Sequence, residues 1–115
     1  MGSIGTTEAI VVLITCGSGD EASTVAGALL ERRLVACVNR VTGVQSEFWW
    51  KGARDRAEEV LLIAKTHREL WPRVLACVWE HHTYQVFEAI ALPIIEGNPD
   101  YLEWIRETTI DAPSS

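Results

Sequence analysis

Ala9-Ile10-Val11-Val12-Leu13-Ile14-Thr15-Cys16-Gly17-Ser18-Gly19-Asp20-Glu21 is the stretch that decides the fold. Its first half is a continuous, largely β-branched run, which reads as a central strand covered on both faces. Gly17-Ser18-Gly19 breaks that strand. Ser18 to Glu21 then has capping-box form: the Ser hydroxyl accepts a free amide and Glu21 reaches back toward the entering chain. Ala22, Val25, Ala26, Leu29 and Leu30 follow at helical spacing and predict a helix from about Gly19 to Arg33.

Working outward, Val35 to Phe48 reads as a long second strand, with Gly43 marking a bulge or bend. Trp49-Trp50-Lys51-Gly52-Ala53 holds a turn, with Gly52 supplying the permissive backbone. A third strand is expected from about Asp55 to Thr66. Leu70, Trp71, Val74, Leu75 and Val78 line one face of a second helix starting near Arg68, with Pro72 in its first turn. A fourth strand is expected from Val86 to about Ile95, and Pro93 makes it an edge. Asn98-Pro99 opens a short terminal helix. Residues 1–8 read as a flexible lead-in, 9–109 as the domain and 110–115 as a flexible tail. Strand, helix, strand, strand, helix, strand is the order of an α+β, ferredoxin-like split βαβ sandwich. Right-handed crossovers give an antiparallel sheet of order 4-1-3-2, with both main helices on one face.

The totals bound the function. A chain of 115 residues, 48% hydrophobic and 23% charged, suits one globular domain. Its net charge of -6 offers no basic surface for nucleic acid or an anionic membrane. No apolar run is long enough to span a bilayer. Cys16, Cys37 and Cys77 are odd in number and lack a disulfide-scaffold spacing, which places the chain in a reducing, cytoplasmic setting.

The topology gathers chemistry at one rim. The end of strand one, the turn between strands two and three, and the loop after helix two should lie together there. Cys16, His81, His82 and Glu88 therefore converge, with Tyr84 and Gln85 beside them, while Lys65 belongs at the opposite rim. Thiolate plus imidazole suits copper or zinc. The helix dipole next to Cys16 favours a thiolate; the plainer alternative is a small residue closing a buried strand. For His81 and His82 the alternative is an exposed imidazolium complementing a helix C-terminus. A third ligand would come from Glu80, Glu88 or another subunit, and Asp20 and Glu21 add negative charge nearby. A cysteine-dependent enzyme, with Cys16 as nucleophile and His82 as base, is a further alternative. Asp55, Glu58 and Glu59 read as a solvated hairpin surface. The uncovered sheet face, the long edge and Phe48, Trp49 and Trp50 on an overhanging hairpin point to an oligomer, with a ring as the closed solution.

Several stretches together resemble the CutA divalent-cation tolerance family. They are Leu34-Val35-Ala36-Cys37-Val38-Asn39, Phe48-Trp49-Trp50-Lys51-Gly52, Leu62-Ile63-Ala64-Lys65-Thr66, His82-x-Tyr84-Gln85 with Glu88, Ala89-Ile90-Ala91-Leu92-Pro93, and Tyr101-Leu102-x-Trp104. The resemblance runs from about Ile10 to Thr108. It implies a ferredoxin-like homotrimer similar to the PII-type signalling proteins, and hence a second possible role, sensing a small ligand in an inter-subunit cleft for which His81, Tyr84, Gln85 and, from a neighbouring subunit, Lys65 are the candidate lining. It also implies a link to tolerance of copper and other divalent cations, with no cofactor required and no catalysis. The family's proposed copper ligands are a Cys after strand one and a His and an acidic residue near helix two; the first two correspond to Cys16 and His82. Thr83 and Phe87 stand where the family has prolines, which removes two fixed backbone angles and leaves the loop freer.

Overall fold

The computed structural model describes residues 7–110. The order is β1 (Ala9–Cys16), α1 (Gly19–Glu31), β2 (Cys37–Trp50), β3 (Ala53–His67), α2 (Trp71–His81), β4 (Ala89–Pro93) and α3 (Pro99–Thr108), with a 3-10 turn at Arg68–Leu70 leading into α2. The antiparallel sheet runs β2-β3-β1-β4, the order expected from the sequence.

Alternation along β1 sorts the core. Ile10, Val12, Ile14 and Cys16 are buried and join Ala22, Val25, Leu29, Val74, Cys77 and Val78 from α1 and α2. Ala9 instead joins Ala36 and Ile105, which docks α3. Leu13, Ile63, Ile90 and Val11 share the other face by cross-strand register. Ile90 and Leu92 there are exposed, as is Val41 on β2.

The two backbone devices expected in the β2–β3 hairpin are present. Register jumps from Val41↔Leu61 to Val44↔Glu59, so β2 carries one extra residue, and Gly43 sits there at φ 75°. At the tip Trp50 pairs with Ala53, and Lys51 and Gly52 both have positive φ, as a two-residue hairpin with right-handed strand twist requires.

Two strands begin later than expected. Arg33 adopts φ 54° and the Leu34 amide returns to the Leu29 carbonyl, so β2 begins at Cys37 rather than Val35. β4 begins at Ala89 rather than Val86, because the residues before it wrap over the end of the sheet. Thr7 and Ile110, assigned to the lead-in and tail, are hydrogen-bonded to Ile94 and Arg33, and the Glu8 carbonyl accepts from the Arg68 amide. The rest of those two segments, 1–6 and 111–115, lies outside the described residues.

Leu29 is fully buried and Leu30 is 44% exposed, although they are neighbours on α1. Leu29→Ala should cost about 2–5 kcal/mol and Leu30→Ala less than about 1 kcal/mol. Denaturant midpoints at fixed protein concentration check this, and equal losses would show that the helix presents a different face.

Candidate functional site

The rim at the C-terminal end of β1 is built on a helix cap. The Ser18 hydroxyl accepts the Glu21 amide at 3.1 Å, and the Glu21 carboxylate accepts the Gly17 amide at 2.8 Å. This is the predicted reciprocal cap, shifted one residue toward the strand. The second Glu21 oxygen accepts both the Thr83 amide, at 2.7 Å, and the Thr83 hydroxyl. One buried carboxylate thus ties the start of α1 to the loop after α2.

His82 follows α2 as its C-cap, with its side chain fully buried. Its Nε2 donates to the Thr15 carbonyl at 2.7 Å, and its Nδ1 accepts the Tyr84 amide at 3.1 Å. Phe87 stacks on one side of the ring, at a centroid distance of 5.0 Å. The alternative of an exposed imidazolium therefore does not hold for His82. His81 is half-buried in the last turn of α2, bonds the Cys77 carbonyl and stands 3.7 Å from Glu80.

Cys16, Glu21 and His82 each place a ligand-type atom within 4.8 Å of the other two. Cys16 and His82 lie together as expected, and the acid beside them is Glu21. Glu88 is exposed on the approach to β4, and Glu80 is held outward by Arg32 at 2.6 Å. The signal for Glu21 was its place three residues after the cap, where a carboxylate must turn back toward the rim.

Cys16 is fully buried at the end of β1, in line with the plainer reading of a small residue closing a buried strand. Burial, followed by the Glu21 charge, pushes its thiol up to about 12, outweighing the nearby Arg40. Burial also raises Cys77. For Glu21 burial pushes upward, but the bonds from Thr83 and Gly17 and the adjacent His82 ring prevail. Its carboxyl lies below the usual carboxylate range.

Lys65 lies at the opposite rim as expected, paired across strands with Cys37 and bonded to Asn39. Tyr84 packs against Gly17, where an added Cβ would meet its hydroxyl at 2.8 Å. That hydroxyl donates to Glu59 at 3.0 Å. Burial and Glu59 push the Tyr84 phenol up to about 12. Glu59 was expected on a solvated surface; it is 7% exposed, because the loop that carries Tyr84 covers it. Beyond it, the hairpin and the 84–88 loop enclose a cleft of about 780 Å³ that Gln85 and Glu88 also line. Phe48, Trp49 and Trp50 are exposed on the hairpin.

These features define a small α+β domain with a four-stranded antiparallel sheet, three helices and a buried thiol–imidazole–carboxylate cluster at one rim. The family model for the CutA1 divalent ion tolerance protein matches residues 10–108. The chain belongs to that family. It is 48% identical over 99 residues to the divalent-cation tolerance protein CutA of Thermus thermophilus, covering 86% of this chain and 96% of that one. It is 41% identical to mouse protein CutA over 84% of this chain, but spans only 54% of the mouse protein. The solved T. thermophilus structure superposes with a TM-score of 0.86 at 46% identity, covering 88% of this chain and 98% of that one. CutA1 from Oryza sativa gives 0.88 at 39% identity, covering 93% and 98%.

Two opposite pH limbs follow. Glu21's contribution to stability is full above its unfolded pKa and is lost as pH falls through the lower folded value, so Glu21→Gln should flatten the acid limb. Cys16 favours the folded state below about 9 and loses that contribution as pH rises toward about 12, so Cys16→Ala should flatten the alkaline limb. Denaturation midpoints across pH report both; limbs unaltered in the variants would contradict the assignment. In native protein at pH 7, Cys16 should also resist alkylation, as peptide mapping would detect.

Proposed function

We propose that this chain is a homotrimeric, cytoplasmic protein of divalent-metal response that binds copper or another divalent cation weakly at Cys16, Glu21 and His82. The observation that carries this reading is the meeting of a sulfur, a nitrogen and a carboxylate oxygen within 4.8 Å. That donor set suits copper or zinc. The relatives' names, which speak of divalent-cation tolerance, support the same class.

The donors fit in position and resist in state. Cys16 must give up a proton that burial holds tightly. His82 must release its Nδ1 lone pair from the Tyr84 amide, and Glu21 must loosen three hydrogen bonds. Each cost lowers affinity, which favours a responsive site over a permanent structural ion. The neutral, buried thiol also weighs against the cysteine-nucleophile alternative, since the thiolate is the nucleophile. Three free cysteines support the reducing compartment.

For the trimer, the support is unsatisfied surface. β2 is a 14-residue edge strand, and the sheet face turned away from α1 and α2 exposes Ile90, Leu92 and Val41. Joining such edges in a PII-like ring would cover both.

Calorimetric titration with copper or zinc should show affinity rising with pH, as the thiol proton leaves. Cys16→Ser and His82→Ala should each weaken binding about tenfold or more. Unchanged affinity in both variants would remove the site. Sedimentation should give a trimer, and a stable monomer at micromolar concentration would overturn the assembly.

A further inference from the structure

The Cys16–Glu21–His82 cluster is closed to solvent, and one wall of that closure is a loop. Cys16 is fully buried, and so is the His82 side chain. The strand end belongs to the sheet and Glu21 to α1, whereas the remaining wall is the chain that follows α2. Thr83 pins that chain to Glu21. Tyr84, the next residue, makes three contacts at once. Its amide occupies the Nδ1 lone pair of His82, its ring lies over Gly17, and its hydroxyl reaches Glu59 on β3 at 3.0 Å.

Glu59 accounts for why the loop stays shut. It is 7% exposed, and the Tyr84 hydroxyl is its one side-chain hydrogen-bond donor among the described residues. No cationic side chain among them pairs with it. A buried carboxylate stripped of its donor is costly, so lifting Tyr84 away is opposed and the loop is drawn back. Gly17 supplies the seat. A Cβ there would meet the Tyr84 hydroxyl at 2.8 Å and its ring at 3.0 Å, so any side chain pushes the ring off the strand end.

We infer that Tyr84 is the gate of the cluster, latched by Glu59 and seated on Gly17. The latch is tied to ligation as well as to access. A cation can take the His82 Nδ1 lone pair only after the Tyr84 amide has left it. Entry to the cluster and release of Tyr84 are therefore one event. Both halves of the latch belong to one chain, so the gate needs no open cleft and is compatible with a neighbouring subunit lying over this face. The inference rests on the cluster being the cation site, but its test reads thiol access without metal and so succeeds or fails by itself.

The test is alkylation of the assembled protein, as purified and with chelator present, by iodoacetamide at about pH 8, with Cys16 and Cys77 followed separately by peptide mapping. Cys77 is 2% exposed in the core beneath α2 and reports general loosening. Tyr84→Phe removes only the latch hydroxyl. It should speed Cys16 alkylation about tenfold or more and leave Cys77 near its wild-type rate. Gly17→Ala displaces the ring with the hydroxyl still present and should act in the same direction. Ile105→Val, in the separate cluster that docks α3, controls for lost stability and should leave the ratio of the two rates unchanged. A Cys16 rate unchanged in both Tyr84→Phe and Gly17→Ala would overturn the gate. So would a parallel rise of Cys16 and Cys77 in those variants, because the loop would then open only with the whole fold.

Discussion

The Glu21 carboxylate is the interaction on which the rim depends. It is buried, it is charged, and its hydrogen bonds come from two places: the Gly17 amide at the strand end, and the amide and hydroxyl of Thr83 some sixty residues later. A buried charge deprived of its partners costs about 3–5 kcal/mol, so the α1 cap and the loop after α2 are each held by the other's need. Thr83 is instructive. The sequence resemblance implies a proline at this position, and the loss of that fixed angle pointed to a freer loop. Instead the Thr83 amide and hydroxyl both bond to Glu21, and a proline has no amide proton to offer. One constraint has been exchanged for another.

From that anchor the loop is placed residue by residue. Thr83 bound to Glu21 sets His82 beneath it, bonded to β1 at Thr15. Tyr84 is then laid on Gly17, where no side chain larger than hydrogen fits without displacement, and its hydroxyl reaches Glu59 on β3. A hydrogen-bonded path thus runs from the start of α1 to the edge of the cleft. The buried cluster and the open cleft share Tyr84: its backbone serves one and its hydroxyl the other.

The two acids of the buried cluster differ in electrostatic character for one reason, the identity of what covers each. Glu21 is covered by donors, so its charge is stabilised and its pKa falls. Cys16 is covered by apolar atoms and by Glu21 itself, so its charge is opposed and its pKa rises.

The fold was almost wholly legible in the sequence, because period, caps and turns are local. The β-branched run of β1, the capping signal at Ser18, Gly43, Gly52 and Pro93 each act within a few residues of themselves, and sheet order followed from handedness. The meeting of Cys16 and His82 was legible too, because topology alone brings those chain ends to one rim. What local signals could not reveal was which acids are buried. Glu21 and Glu59 look like any surface carboxylates in sequence, and Glu88 looks like a better ligand than either. Burial of a carboxylate depends on what other segments bring against it. Here the loop carrying Thr83 and Tyr84, packed across the end of the sheet, takes Glu21 and Glu59 out of water and leaves Glu88 in it.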